Sequence, residues 1–211
     1  MAVSGALLMV FVLAHMLGNL QMFLGPEAIN AYATKLEHLA GGKGIWIARI
    51  GLLTLLIAHV GSALRVVAQT RASRPIPYAK KASIRATPAG RTMLLSGGTV
   101  LAFVIYHILH FTTGDIDPTQ SYGLLDDAAR KDVYTMVLKG FTHTPTVLAY
   151  GIAQVFLFFH LWHGARSLFQ TLGLRSPSRA SGIDKLSSLF AGLILLGNLS
   201  IPLAIFFGLL V

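Results

Sequence analysis

A chain of 211 residues that is 54% hydrophobic and only 12% charged is unlike a soluble domain, in which about a quarter of residues are charged, and reads as an all-α integral membrane protein. Seventeen Lys and Arg against eight Asp and Glu leave a formal charge of +9, but no nucleic-acid-binding motif accompanies the excess, so membrane orientation and lipid headgroups explain it better than a nucleic acid. The absence of cysteine excludes disulfides, a protein-ligated iron-sulfur cluster and C-x-x-C-H haem attachment within this chain, so any cofactor is held by nitrogen or oxygen.

Five stretches are long and apolar enough to span a bilayer: residues 2–24, 45–64, 93–113, 147–169 and 187–211. The first carries His15 and lacks a basic leader and a small-residue cleavage pattern, so it is expected to be a retained helix. The second carries His59, and Arg49, one turn from its end, is the only charge within the first three. Residues 65–91 then hold Arg65, Arg71, Arg74, Lys80, Lys81, Arg85 and Arg91 with no acid, and their Pro- and Arg-rich part is expected to lack regular structure. The third stretch carries His107 and His110. In the acidic connection after it, residues 126–139 predict a short surface helix, since Leu124, Leu125, Ala128, Val133, Met136 and Val137 form a partial apolar face. The fourth stretch carries His160 and His163, and is followed by Arg166, Arg175, Arg179 and Lys185 against Asp184 alone. The fifth has neither histidine nor charge. It is expected to pack outside a bundle formed by the first four, stabilising it or contacting another copy, with Pro202 as a point of kinking. Residues 1–211 thus read as one transmembrane domain.

The two basic connections belong on the cytoplasmic face and the acidic ones outside, which places the N-terminus inside and the C-terminus outside. Each of the first four spans buries one deep histidine, a residue that hydrocarbon accepts only with a partner. With helices alternating in direction, His15 and His107 fall in the outer half and His59 and His160 in the inner half. In a bundle of chain order, helices one and three are diagonal, as are two and four, so the histidines make two pairs at two depths, about 10 Å apart by helical rise.

Two imidazoles facing across a bundle suit haem b, and bis-His ligation fills both axial positions, favouring electron transfer over oxygen chemistry. Gly18, Gly61 and Gly164 lie close in sequence to the ligand candidates, where small residues would admit a macrocycle, although glycine is common at membrane helix contacts. Arg65 and Arg166 each lie six residues beyond a histidine of the inner pair, about 9 Å along the helix, and are candidates to hold haem propionates; ordinary positive-inside residues would sit there equally well. His110 and His163 follow His107 and His160 by one turn, within reach of a haem edge, a propionate or a quinone, or as ligands themselves. Depth favours His107 and His160 as ligands. His38 and His143 are expected in outer loops, and Tyr32 and Glu37 near the outer mouth.

The segments MAVSGALLMVFVLAHMLGNLQMFLG, FVIYHILHFTTG and FFHLWHGARSLFQTLG resemble the diheme cytochrome b membrane anchor of succinate dehydrogenases and fumarate reductases, of the single-polypeptide, five-helix type. The likeness covers essentially the whole chain, and H-L-x-H-G-x-x-S-x-F-Q-T-L-G is its most specific element. It implies that His15 and His107 ligate the haem distal to the catalytic subunits and His59 and His160 the proximal one. It further implies a flavoprotein with covalent FAD and an iron-sulfur protein as cytoplasmic partners. The membrane would be a prokaryotic inner membrane, and the acceptor a quinone, usually menaquinone in that family. Such a chain makes no bond to succinate; it would pass electrons from the iron-sulfur subunit through two haems b to the quinone. One position departs: some relatives carry a glutamate two residues before the fourth-helix ligand as part of a proton route, and here it is Phe158.

Other readings predict different observables. The cytochrome b anchor of a hydrogenase or formate dehydrogenase would also use bis-His haems but would not co-purify with a flavoprotein. A histidine-lined proton-coupled transporter would not absorb visible light, and its expected broken, charged helices are not evident. A zinc site would need one tetrahedral cluster rather than two layers of histidine.

Overall fold

A computed structural model of the chain describes residues 1–73, 88–116 and 125–210, and among these all regular structure is helical. Arg74, Lys80, Lys81, Arg85 and Leu124 lie outside the described residues.

Helix α1 (Ala2–Asn19) continues as a 3-10 segment over Leu20–Leu24 and stops at Gly25, whose φ of +94° few side chains tolerate. Helix α2 (Pro26–His38) follows at once. It was not expected from the apolar pattern, although its start carries a recognisable signature. Pro26 sits in the first turn, where no N–H is needed, and Glu27 faces the positive end of the helix dipole. A turn with Gly42 at φ +83° leads into α3 (Lys43–Ala72). The short α4 (Pro88–Arg91) precedes α5 (Met93–Phe111), and α6 (Val133–Gly140), α7 (Thr144–Thr171) and α8 (Ala180–Phe206) complete the chain.

Five segments are long and apolar enough to cross a membrane: Ala2–Leu24, Lys43–Ala72, Met93–Phe111, Thr144–Thr171 and Ala180–Phe206. They coincide with the five expected stretches, but several helices run beyond the apolar run, because water can satisfy the backbone of polar turns past the bilayer edge. At the other extreme α8 stops early. Gly208, at φ +68°, lets Leu209 N–H return to the Ala204 carbonyl at 2.7 Å, closing the last turn.

Helix α7 packs against α8, α5 and α1, and α1 also packs against α3 and α8. The pairs α1 with α5 and α3 with α7 are not closely packed. Helix α8 is seated by a close approach of Gly197 to the Met16 side chain of α1 and by Asn198 Nδ2 donating to Gln154 Oε1 of α7 at 3.0 Å. Pro202 lies inside α8 and is buried. Helix α3 buries none of its residues, and side chains such as Ile47 and Ile57 are 70% and 64% exposed. An apolar helix with so little protein contact is one that lipid would solvate.

One end of the molecule is closed by α2, α6 and residues 125–132, here called the cap end. Asn30, 1% exposed, donates to Asp126 Oδ2 at 3.3 Å and Asp132 Oδ1 at 3.2 Å, and accepts from Tyr134 N–H at 3.0 Å. Arg130 grips both oxygens of Glu27 at 2.8 and 2.6 Å while its Nε reaches Asp126 at 2.9 Å. Asp126 also accepts the backbone N–H groups of Ala128 and Arg130, holding a turn with Ala129 at φ +55°. That side-chain capture explains why the expected helix over 126–139 begins only at Val133, with Asp132 capping it through Thr135 N–H. Beneath the cap lie Met22, Ile29, Phe141, Val147, Tyr150 and Ile201; a second apolar cluster of Met16, Leu157, Leu161, Ala191 and Ile194 lies deeper.

Candidate functional site

The four deep histidines meet in two pairs. His15 of α1 and His107 of α5 lie with steeply crossed ring planes and ring centres 5.8 Å apart, towards the cap end. His59 of α3 and His160 of α7 do the same at 6.2 Å, towards the opposite end, where the Arg-bearing tails of α3 and α7 emerge. The helices of each pair do not pack on each other directly, so the rings bridge a space between backbones. No cluster of three or more His, Cys, Asp or Glu side chains suited to a metal occurs among the described residues.

The hydrogen bonds around these rings favour one tautomer. Ser4 donates its hydroxyl proton to the Met1 carbonyl at 3.1 Å, so the His59 Nδ1 lying 3.4 Å away must donate to Ser4 Oγ. Asn19 Nδ2 stands 3.2 Å from His15 Nε2 and can only donate, which again leaves the imidazole proton on Nδ1. His107 Nδ1 faces the Tyr150 hydroxyl at 3.1 Å. His160 Nδ1 is buried without a hydrogen-bond partner among the described residues. In His15 and His59 the Nε2 lone pair is therefore the one presented to a ligand or to a donor such as Asn19.

Two glycines fit against the second pair. A Cβ at Gly5 of α1 would fall 3.1 Å from His59 Cε1, and one at Gly97 of α5 would fall 3.4 Å from His160 Cε1. Gly5 precedes His15 by ten residues, and Gly97 precedes His107 by ten. Helical rise therefore separates the two levels by about 15 Å along both helices, more than the 10 Å expected from the apolar midpoints. The glycines singled out by sequence proximity behave differently. Gly18 is occupied by the Tyr32 ring, Gly164 abuts Met9, and Gly61 faces open space.

No family model, curated protein or solved structure matches the chain. The reading of the site therefore rests on its geometry and chemistry.

The remaining candidates are distributed around the pairs. His110 is buried, with Nδ1 3.0 Å from the Tyr150 hydroxyl and its ring 4.0 Å from Phe111. His163 is partly buried on α7. Arg65 is exposed beyond His59. Arg166 is tied through Nε to Asp184 of α8 at 2.9 Å, and Arg175 reaches the same carboxylate at 3.2 Å. His38 ends α2 instead of lying in a loop, its Nδ1 donating to the Thr34 carbonyl at 2.9 Å, and His143 is the N-cap residue of α7.

A cavity of about 160 Å³ opens between α2, the start of α3, the end of α5 and the cap, with Glu37, Arg49, Lys131 and Met136 among its walls. Glu37 and Lys131 pair at 3.1 Å, and the Arg49 guanidinium stacks over Trp46 at 5.1 Å. Phe111 is another wall, and its ring also lies 5.8 Å from that of His107. The cavity is thus one aromatic ring away from the cap-end pair. Tyr150, Gly5, Gly97, Ser4 and Asn19 were not legible as site residues, although Gly-x9-His recurs in α1 and α5.

Proposed function

We propose that this chain is a diheme cytochrome b membrane anchor, carrying electrons between a soluble partner and a membrane quinone. The observation that carries the reading is the pairing of four histidines from four helices, two by two, with ring centres 5.8 and 6.2 Å apart. Two in-line metal–imidazole bonds of about 2 Å each, plus the half-ring beyond each nitrogen, put ring centres about 6 Å apart. The tautomers of His15 and His59 fit as well, since a metal takes the Nε2 lone pair, and in His59 the Nδ1–H is held by Ser4.

His15 with His107 would hold one haem b and His59 with His160 the other, within a four-helix bundle of α1, α3, α5 and α7 that α8 braces from outside. When bound, the haems would supply one-electron carriers at two levels of the membrane. Asn19 would have to release His15 Nε2, a local change within one helical turn. Gly5 and Gly97 keep the rings of the basic-end pair from being pushed out of line. Arg65 and Arg166 are the propionate donors of this reading, with Asp184 fixing the direction of Arg166.

The basic end is cytoplasmic under the positive-inside rule, which makes it the docking face for an iron-sulfur and a flavoprotein subunit, as in succinate dehydrogenase or fumarate reductase of a prokaryotic inner membrane. The cavity beside Phe111 is the candidate quinone site at the cap end, since it joins apolar walls to Arg49, Lys131 and Glu37 near one haem. A reduced-minus-oxidised absorption spectrum of the purified chain, with haem counted per polypeptide, tests the proposal. A value near two supports it, and a well-folded, partner-bound preparation without haem would sink it.

A further inference from the structure

We infer that Tyr150 is a positioning residue for the cap-end haem, a phenol relay from His107 to His110 whose direction is set by iron ligation. The inference rests on the haem reading and extends it to side chains that never touch the metal.

The Tyr150 hydroxyl lies 3.1 Å from His107 Nδ1 and 3.0 Å from His110 Nδ1. Among the described residues these two nitrogens are the hydroxyl's only hydrogen-bond partners, and a buried phenol proton left without an acceptor is costly, so one Nδ1 must be bare and the two histidines cannot be treated alike. If His107 binds iron through Nε2, its Nδ1 keeps a proton and must donate it to the Tyr150 oxygen. The Tyr150 O–H is then directed at His110 Nδ1, which must be bare, leaving the His110 proton on Nε2. The reverse direction would need a bare Nδ1 on His107 and hence a proton on the nitrogen that binds the metal. Of these two histidines, His107 is the one whose ring meets that of His15 among the described residues, so the partner across the bundle breaks the symmetry between two histidines one turn apart.

The phenol is held for this task. Tyr150 is 5% exposed, and its ring is fixed edge to face by Phe103 at 4.9 Å and Phe141 at 4.8 Å. Phe141 follows α6 beneath the cap and Phe103 lies on α5, so the hydroxyl cannot swing away without disturbing both. An acceptor on Nδ1–H makes an imidazole a stronger donor to its metal and favours the oxidised state. The Tyr150→His110 bond polarises the phenol oxygen and strengthens that acceptor. His59, by contrast, leans on Ser4 over a longer 3.4 Å contact, and His160 Nδ1 has no hydrogen-bond partner among the described residues. Tyr150 therefore separates the two haems electronically, pulling the cap-end potential down.

The test is a pair of variants in the full chain, Tyr150→Phe and His110→Gln, followed by redox titration of both haems and the ferric spin-resonance spectrum. Tyr150→Phe is expected to keep both haems, raise the potential of one and shift one of the two low-spin signals, leaving the other unmoved. His110→Gln is expected to do the same to a smaller degree. The relay is overturned if Tyr150→Phe binds both haems with both potentials and both signals unchanged. It is equally overturned if His110→Gln loses one haem, since His110 would then be the ligand. If Tyr150→Phe does not assemble, the His110→Gln result decides on the same criteria. Wild-type chain without haem would instead refute the haem reading; selective nitrogen-15 spectra of the histidines would then judge the hydrogen-bonded relay alone, which requires two ring nitrogens to move in Tyr150→Phe.

Discussion

Gly5 stands so close to His59 that a Cβ on it would lie 3.1 Å from the imidazole Cε1. A side chain there must push the ring by a few tenths of an ångström. Overpacking of this kind costs about 1–3 kcal/mol, so on the haem reading proposed above Gly5→Val should weaken retention of the basic-end haem by between about fivefold and about 150-fold. The cap-end haem should be untouched. Gly51→Ala is the control, because a Cβ there would meet no neighbouring side chain or helix within 4 Å among the described residues. Equal loss of both haems in Gly5→Val, followed by haem release over time, would contradict a local clamp.

The number and type of spanning helices were legible in the sequence because a bilayer imposes a length and an apolar composition that few other structures share. The assignment of histidines to pairs was legible too, since it needs only span midpoints and alternating helix direction; in the structure His15 meets His107 and His59 meets His160. Distances of side chains to neighbouring helices were not legible. Gly5 and Gly97 are unremarkable residues until α3 and α7 bring histidines against them, and Tyr150 is one aromatic among many in α7. The early end of the α6 region was hidden for a different reason. Periodicity extended the helix back to Asp126, but the Asp126 carboxylate takes the local backbone N–H groups for itself.

Asn30 is the buried hub of the cap. Its amide satisfies Asp126, Asp132 and the Tyr134 N–H at once, so Asn30→Leu leaves buried polar groups without that partner. A loss of about 2 kcal/mol is expected from such a change, visible as a lowered thermal midpoint and faster hydrogen exchange over α2 and α6. An unchanged midpoint with unchanged exchange would mean that the cap is held by its rim of ion pairs alone.

Acid should loosen the same cap. Hydrogen bonding and charge from Arg130 hold the Glu27 carboxyl below its ordinary 4.5. At Asp126 burial works against ionisation, but hydrogen bonds from Arg130, Asn30 and Ala128 outweigh it and hold the carboxyl below 3.8. Because both folded values are depressed, their contribution is complete above the ordinary carboxylate range and is lost as the pH falls through the folded values. Protease sensitivity of residues 125–132, followed from pH 7 downwards, should stay flat to about pH 4.5 and then rise. In Arg130→Gln the rise should begin at a higher pH, since the guanidinium that depresses both values is gone. A rise centred near pH 6.5 would point to a histidine instead.

The seat of α8 offers a test of what braces the bundle. Asn198 donates to Gln154 between α7 and α8, away from the Arg166–Asp184 ion pair of the same two helices, and Gln154 is 6% exposed. In a membrane such an interhelical bond contributes about 0.5–2 kcal/mol, because a separated helix still finds other partners for its polar groups. Asn198→Leu should therefore lower stability only modestly, and the close approach of Gly197 to Met16 should still hold the helix in register. Gly197→Leu attacks that approach directly, on the α1 segment that also carries His15, and should do more: displacement of Met16 would disturb the cap-end pair. On the haem reading, the expected pattern is full haem retention with a small loss of thermal stability in Asn198→Leu, and selective loss of the cap-end haem in Gly197→Leu. If Asn198→Leu strips haem while Gly197→Leu does not, the polar bond and not the close packing fixes α8 against the bundle.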